Sequence, residues 1–166
     1  MLNISIIIPL YNEEERLKKN LPAIDIFLKK NKSKKVELLF VSDGSTDNTN
    51  KIIENFINKN SKKFKLNFIK YKKNIGKGFA VKSGVLAAKN EWILICDADL
   101  SVHPNQFITW KKNNFLISKN YAFFGSRDHE KSIIYASRVR VILGYFFKKI
   151  IRFFFFNRVK RYSMRF

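Results

Sequence analysis

Short apolar runs alternate along this chain with segments of helical periodicity, and this alternation constrains the fold more than any other feature. Most of the runs are continuous, and they cover residues 4–9, 36–42, 64–71, 92–96 and 121–124. Strands that are buried on both faces have such continuous apolar sequences, and their alternation with helices is typical of a parallel sheet. The sequence therefore predicts an α/β protein in which helices separate five strands and flank a mainly parallel sheet.

The segments between the runs carry apolar residues three or four positions apart, as Leu17, Leu21 and Ile24 do in the first of them. Pro22 lies inside that pattern and predicts a kink or two short helices, because Pro cannot donate a helical hydrogen bond. The last helix of this series is predicted over residues 104–118.

The length of 166 residues predicts one domain, and no segment before about residue 130 has the composition of a linker. We place the α/β domain at residues 1–130 and a basic, aromatic-rich tail at residues 131–166. The first nine residues are not expected to be a signal peptide, because no basic region precedes their apolar run. Cys96 is the single cysteine, so no internal disulfide is possible and we expect a packed thiol.

The charge of the chain is strongly positive and unevenly distributed. Lys and Arg outnumber Asp and Glu by 33 to 13, which gives a formal net charge of +20. Ten basic residues and no acidic residue lie in the tail at 131–166, so this segment carries half of the net charge. Such a block predicts an anionic partner, either nucleic acid or a membrane surface. The apolar content of 46% excludes a wholly disordered chain.

Polar motifs follow four of the predicted strands, at residues 11–13, 43–45, 74–78 and 97–99. In open α/β sheets, ligands bind beyond the carboxyl ends of the strands. Four polar clusters at four strand ends are difficult to explain by packing alone, so the sequence predicts a ligand site at this edge of the sheet.

Asp97 and Asp99 form an Asp-x-Asp motif directly after the fourth strand. In an extended segment, residues two positions apart project to the same side, so both carboxylates are able to approach one hard cation. Mg²⁺ and Mn²⁺ prefer such oxygen ligands and often bridge to phosphates. The alternative for an isolated pair of acids is a solvated turn or a helix cap, and the neighbouring motifs favour the metal site.

Two further motifs fit a phosphorylated ligand. Asp43 ends the second strand, where its carboxylate is able to accept a hydrogen bond from a nucleobase or a ribose hydroxyl. The residues after it are expected to form a turn and a helix cap. Lys77, with the backbone of Gly76 and Gly78, is able to receive a diphosphate; the alternative is a flexible turn with a solvated lysine.

Together these motifs resemble the family 2 glycosyltransferases, in order and in spacing. The similar segments are residues 6–14, 41–49, 74–78 and 96–101, and 125–127 resembles a segment of the glucosyltransferase-like members. Within the family, the polyprenyl-phosphate and dolichyl-phosphate sugar transferases are the most similar group. The motifs specify neither the sugar, the base nor the acceptor.

The resemblance implies a Rossmann-like fold of the glycosyltransferase A type that binds a nucleotide-diphosphate-sugar such as a UDP- or GDP-sugar. It further implies metal-assisted direct displacement with inversion, in which Mg²⁺ or Mn²⁺ neutralises the departing diphosphate and the acceptor is a polyprenyl phosphate. Carried over by position, Asp99 and Asp97 are the catalytic and metal-binding residues. The implied substrate-binding residues are Pro9, Tyr11, Glu13, Asp43, Gly76, Lys77, Gly78 and Arg127.

The chain departs from the family pattern after Glu130, its last acidic residue. Family members normally continue past the length of this chain with a further acidic motif that supports or deprotonates the acceptor. We therefore expect a fragment, a truncated gene product, or a donor-binding domain with weak or no transfer. A phosphate acceptor needs little deprotonation, so the missing acid matters less for a polyprenyl phosphate than for a sugar hydroxyl.

Residues 138–156 in the tail predict an amphipathic helix with a Phe-rich face and a basic face. Such a helix suits the plane of an anionic bilayer, and its charges exclude a clean transmembrane span. The helix thus predicts a peripheral protein at a membrane surface, and the family resemblance implies the cytoplasmic face. The alternative is a helix packed on its own domain. Nucleic-acid binding fits less well, because the aromatic residues form one apolar block and are not interleaved with basic residues.

Overall fold

The computed structural model describes residues 3–31 and 35–113, and further along the chain residues 139, 142–147 and 149. The chain divides into two compact units, Met1–Lys119 and Asn120–Phe166. The predicted domain boundary between residues 130 and 131 stays a prediction.

The first unit contains a parallel sheet of four strands in the order β3-β2-β1-β4. The strands are β1 (Asn3–Leu10), β2 (Lys35–Asp43), β3 (Lys65–Tyr71) and β4 (Trp92–Ile95). The chain proceeds outward from β1 to β3 and then crosses to the other side of β1 to form β4. The strand order therefore reverses at β1, and the crevice between β1 and β4 is where open α/β sheets bind ligands.

Four helices connect or follow these strands: α1 (Glu14–Lys30), α2 (Thr49–Asn60), α3 (Lys77–Ala87) and α4 (Asn105–Lys112). Helices pack on both faces of the sheet, to which alternate strand residues point. One core packs the even-numbered residues of β1 against α1, α2 and α4, and includes Ile6, Leu17 and Phe107. The other packs Ile7 and its neighbours against Ala80 of α3.

α1 is a single helix of 17 residues with Pro22 inside it. The predicted alternative of two short helices is therefore wrong. Pro22 lies on the exposed side of α1. The carbonyl of Lys18, one turn earlier, loses its helical donor on the side where water is able to replace it.

The α/β fold with a parallel sheet is confirmed, and the first four predicted strands are present with bounds that differ by one residue. α4 occupies the first part of the helix predicted over 104–118. The predicted strand at 121–124 and Arg127 lie outside the described residues.

In the second unit, residues 142–147 are helical. Their apolar side chains are widely exposed, from 56% for Ile142 to 65% for Phe147. The Lys149 ammonium lies 5.0 Å from the ring centroid of Tyr145, in a cation–π contact. Residues 139 and 149 of the predicted helix over 138–156 are also helical, and its other residues lie outside the described ones. In the part of the chain that the structure describes, no helix has the length and apolar character needed to cross a bilayer.

Candidate functional site

A cleft of about 280 Å³ opens at the carboxyl edge of the sheet. It brings together seven of the residues predicted from the motifs, and five others. The lining consists of Pro9, Leu10, Tyr11, Glu13, Arg16, Asp43, Asn74, Lys77, Ala80, Asp97, Ala98 and Asp99. Of the other predicted residues, Gly76 and Gly78 flank Lys77 at the start of α3.

The Asp-x-Asp motif lies in a tight turn that follows β4. The amide N–H of Leu100 donates to the carbonyl of Asp97 at 3.0 Å, and Leu100 adopts a left-handed conformation with φ of 51°. The Asp99 carboxylate accepts the N–H of Ser101 at 2.9 Å. Between the two acids, Ala98 is buried and its carbonyl accepts the side-chain amide of Asn20 from α1 at 2.8 Å. The turn is thus anchored to α1 while both acids remain on the cleft wall.

The donor set of this turn fits a hard divalent cation. No group of three or more His, Cys, Asp or Glu side chains converges among the described residues, so Asp97 and Asp99 supply two carboxylates only. Mg²⁺ is commonly held in this way, by one or two carboxylates together with substrate phosphates and water. The pair therefore suits a metal ion whose coordination is completed by a bound diphosphate.

Lys77 and Asp97 form an ion pair across the cleft. Lys77 is the first residue of α3, and its Nζ lies 2.6 Å from Oδ1 of Asp97. Both side chains are partly open to solvent, with 65% of the lysine and 46% of the aspartate exposed. The lysine predicted to lie near the phosphates is therefore adjacent to the carboxylates predicted to hold the metal.

Asp43 is buried, with 2% of its surface exposed, at the end of β2. Its two carboxylate oxygens accept the backbone N–H groups of Ile75 at 3.0 Å and Gly76 at 2.6 Å. Gly76 has φ of 120°, a conformation that favours glycine. Asp43 thus fixes the loop that leads into α3 and Lys77. Its predicted contact with a base or ribose stays a prediction, and no sequence motif indicated its contact with the loop.

Asn12 joins the loop after β1 to the loop after β2. Its Oδ1 accepts the N–H of Thr46 at 2.8 Å, and its own N–H donates to Ser45 Oγ at 3.1 Å. Asn12 has φ of 52°, which asparagine adopts more readily than most residues. These contacts connect the segment that carries Tyr11 and Glu13 to the loop after β2.

Arg16 is a cleft residue that the sequence motifs missed. Its guanidinium contacts both carboxylate oxygens of Glu13, at 2.8 and 2.7 Å. The pKa of Arg16 is raised, mainly by this hydrogen bond and the charge of Glu13, with smaller contributions from Asp99 and Asp97. The available signal was the three-residue spacing from Glu13, which places both side chains on one side of the first turn of α1.

Cys96 is fully buried at the end of β4, as expected for a packed thiol. Burial, assisted by the charge of Asp97, raises the pKa of the thiol to about 12. Cys96 is therefore protonated at neutral pH and has no nucleophilic role.

A family model described as glycosyl transferase family 2 matches residues 5–163. The chain belongs to glycosyl transferase family 2. The predicted resemblance is confirmed.

Several curated relatives are dolichyl-phosphate beta-glucosyltransferases. The protein of that name from Dictyostelium discoideum is 35% identical over an alignment of 133 positions, gaps included, that covers 76% of this chain and 40% of the relative. The Saccharomyces cerevisiae protein is 30% identical over 174 aligned positions, which cover 95% of this chain and 51% of the relative. The human protein is 31% identical over 166 aligned positions, which cover 90% of this chain and 49% of the relative. The chain thus spans about half the length of these relatives.

Two solved structures share the fold. The mannosyltransferase PcManGT from Pyrobaculum calidifontis, in complex with GDP-Man and Mn²⁺, superposes with a TM-score of 0.53 at 25% identity over 58% of this chain and 27% of that one. Residues 1–349 of S. aureus TarS give a TM-score of 0.55 at 23% identity over 78% and 40%. The predicted glycosyltransferase A-type fold is confirmed.

Proposed function

We propose that this chain binds a nucleotide-diphosphate-sugar in the cleft and transfers the sugar to a polyprenyl phosphate of the dolichyl type. The observation that carries the proposal is the convergence of Asp97, Asp99 and Lys77 at the strand reversal of a family 2 fold. The names of the relatives support the acceptor, since they are dolichyl-phosphate glucosyltransferases.

Asp99 and Asp97 would hold Mg²⁺ or Mn²⁺, which when bound supplies Lewis-acid neutralisation of the departing diphosphate. The presence of Mn²⁺ and GDP-Man in the PcManGT complex supports this assignment. Asp99 is the principal ligand in this proposal, and Asp97 faces the metal, the ribose or the sugar.

The other cleft residues orient the donor. Pro9, Tyr11 and Glu13, at the end of β1 and just after it, line the half of the cleft assigned to the nucleoside. Asp43 acts there too, through the lone pairs that the loop N–H groups do not use. On the opposite wall, the ammonium of Lys77 neutralises diphosphate charge.

The N–H of Gly78 is the proposed backbone contact for the diphosphate beside Lys77, whereas the N–H of Gly76, which was predicted for the same role, already donates to Asp43. α3 begins at Lys77 with no side-chain cap, so N–H groups of its first turn are available to an anion. Arg127 is proposed as a further donor contact and lies outside the described residues.

Transfer needs no protein nucleophile in this mechanism. An oxygen of the acceptor phosphate, already negatively charged, forms a bond to the anomeric carbon from the face opposite the diphosphate. The bond from that carbon to the nucleoside diphosphate breaks, the nucleoside diphosphate leaves with the electron pair, and the configuration inverts. The chain supplies orientation and charge neutralisation.

The proposed location is the cytoplasmic face of a membrane, with residues 138–166 on the bilayer surface. The exposed apolar side chains at 142–147 support that placement.

The test is a calorimetric binding screen of UDP, GDP, UDP-glucose and GDP-mannose, with and without Mn²⁺. We expect one nucleotide series to bind, and Mn²⁺ to strengthen it. Radiolabelled transfer from the bound donor to dolichyl phosphate then tests turnover. If neither nucleotide series binds with Mn²⁺ present, the proposed function is wrong.

A nucleotide-sugar-binding domain without turnover is the second candidate. One observation supports this candidate: the acids that line the described cleft are all assigned to the donor side, so none of them is left to act on the acceptor. They are Glu13, Asp43, Asp97 and Asp99. Donor binding without transfer to dolichyl phosphate would support this candidate over the enzyme. A basic nucleic-acid-binding protein would leave the cleft unexplained.

A further inference from the structure

The ion pair between Lys77 and Asp97 differs from the other ion pairs of the described residues, because it joins two walls of the cleft. Arg16 pairs with Glu13 within the first turn of α1, three residues apart. Lys77, by contrast, reaches from the first residue of α3 to the turn after β4, and its partner is one of the two acids proposed to hold the metal.

The Asp97 carboxylate already has a cation as its partner, because the ammonium of Lys77 lies 2.6 Å from its Oδ1. A divalent metal on the same carboxylate would bring a second cation close to Lys77, and the two charges would repel each other. Metal binding at Asp97 therefore favours departure of the lysine.

The side chain of Lys77 is able to move away from Asp97 and to contact a diphosphate. This side chain is 65% exposed, so no packing holds the ammonium at Asp97. Lys77 opens α3 next to Gly78, where the uncapped first turn of the helix is an attractive place for an anion. A diphosphate in this position offers the ammonium charged oxygens in exchange for the carboxylate.

We infer that Lys77 is an exchangeable counter-ion of Asp97: it pairs with the carboxylate before metal and nucleotide bind, and moves to the diphosphate when they do. This inference rests on the proposed function. Its consequence is that metal and nucleoside diphosphate strengthen each other's binding. Either ligand alone must separate Lys77 from Asp97, and once one of them has done so the other binds without that cost. The coupling is reciprocal by thermodynamic necessity.

The test compares Lys77→Gln with Lys82→Gln in the full chain. Lys82 is also an exposed lysine of α3 but does not line the cleft, so its replacement removes the same charge without touching the ion pair. Three titrations are made with each protein: Mn²⁺ alone followed by its electron paramagnetic resonance signal, UDP or GDP alone by calorimetry, and nucleotide at saturating Mn²⁺. Circular dichroism verifies that both variants are folded.

We expect Lys77→Gln to bind Mn²⁺ alone about two- to fivefold more tightly than Lys82→Gln, the range for a partly exposed ion pair. The same variant should bind the nucleotide alone more weakly. The coupling factor is the factor by which nucleotide tightens Mn²⁺ binding, corrected for the Mn²⁺–nucleotide complex that forms in free solution. This coupling factor should be smaller in Lys77→Gln than in Lys82→Gln. Simple repulsion between Lys77 and the metal would leave that factor unchanged.

An unchanged or weaker affinity of Lys77→Gln for Mn²⁺ alone, relative to Lys82→Gln, overturns the inference, and so does an unchanged coupling factor. These results leave the proposed function standing if the wild-type protein binds nucleotide with Mn²⁺. Absence of any nucleotide binding by the wild-type protein overturns both.

Discussion

At the scale of single residues, Gly44 shows how closely two cleft loops approach each other. It has φ of 74°, and a Cβ at this position would lie 2.4 Å from the backbone N of Asn74 and 2.5 Å from the carbonyl carbon of Lys73. The loop after β2 therefore passes directly against the loop after β3. Since the obstructing atoms are backbone, no side-chain rearrangement is able to relieve the contact.

Gly44→Ala is expected to lower the free energy of unfolding by more than about 1–2 kcal/mol, the cost of the left-handed conformation before any clash is added. Gly78→Ala is the matched control, because nothing lies within 4 Å of a Cβ there. In the helix, that change should stabilise by roughly 0.5–1 kcal/mol. Urea unfolding measures both variants, and equal stabilities would contradict the close loop approach.

Asp99→Ala should abolish the strengthening of nucleotide binding by Mn²⁺ while leaving the fold intact, because Asp99 is exposed in a turn at the edge of the sheet. Ser101→Ala is the control, since it keeps the backbone N–H that Asp99 accepts. Calorimetry with UDP or GDP, with and without Mn²⁺, gives the measurement. If Asp99→Ala retains the Mn²⁺ effect of the wild-type protein, Asp99 is not the metal ligand.

At the scale of secondary-structure elements, Asp47 joins the first turns of two helices. Its carboxylate accepts the N–H of Glu14, the first residue of α1, at 3.1 Å and the N–H of Thr49, the first residue of α2, at 3.0 Å. Burial acts to raise the pKa of Asp47, but the hydrogen bonds from Thr49 and Glu14 outweigh it and the pKa is lowered. A carboxylate at a helix N-terminus also interacts favourably with the helix dipole.

Because the pKa of Asp47 is lowered in the folded protein, its stabilisation is present above the ordinary value of 3.8 and is lost as the pH falls through the folded value. Asp47→Asn should therefore be less stable than wild type at pH 7, by about 1 kcal/mol for a lost cap. The difference should shrink below pH 3.8. Glu15→Gln, an exposed acid of α1, should show a smaller difference throughout. Urea unfolding across the pH series decides; a constant Asp47→Asn difference would contradict the assignment.

At the scale of the whole molecule, the positive charge is concentrated in the tail. Residues 131–166 hold ten basic residues and no acidic one. Within that segment, the described side chains at 142–147 include Leu143 and Phe146, which are 63% and 59% exposed. Basic charge combined with exposed apolar surface is typical of a helix that lies on an anionic bilayer.

The full chain is expected to bind anionic vesicles and to be released in part by salt, because each basic side chain near such a surface contributes about 1 kcal/mol. Replacing Lys148, Lys149 and Arg152 together with Gln should remove mainly the salt-sensitive part. The apolar side chains should maintain a salt-resistant remainder. Co-sedimentation over a salt series separates the two. Equal pelleting with neutral and anionic vesicles would contradict the electrostatic part, and absence of pelleting would return the tail to a helix packed on its own domain.

The sequence by itself determined the class of the fold and the edge at which the site lies. The strands were predictable because burial on both faces requires continuous apolar runs, as in residues 36–42. The meeting of Asp43, Lys77 and Asp97 was predictable because parallel strands bring their carboxyl ends to one edge. Their separate roles in binding remain predictions.

Only the tertiary structure decided which partners these residues have. Strand order places β4 beside β1. Strand order and helix packing also bring Asp43 to the loop before α3 and Arg16 into the cleft. Glu37 makes the reason clear: it lies inside an apolar run yet is buried, and it accepts hydrogen bonds from Asn67, 30 residues away, and from the backbone of Lys89, 52 residues away. Local patterns record which residues are buried, but a hydrogen bond between distant segments depends on how the whole chain brings them together.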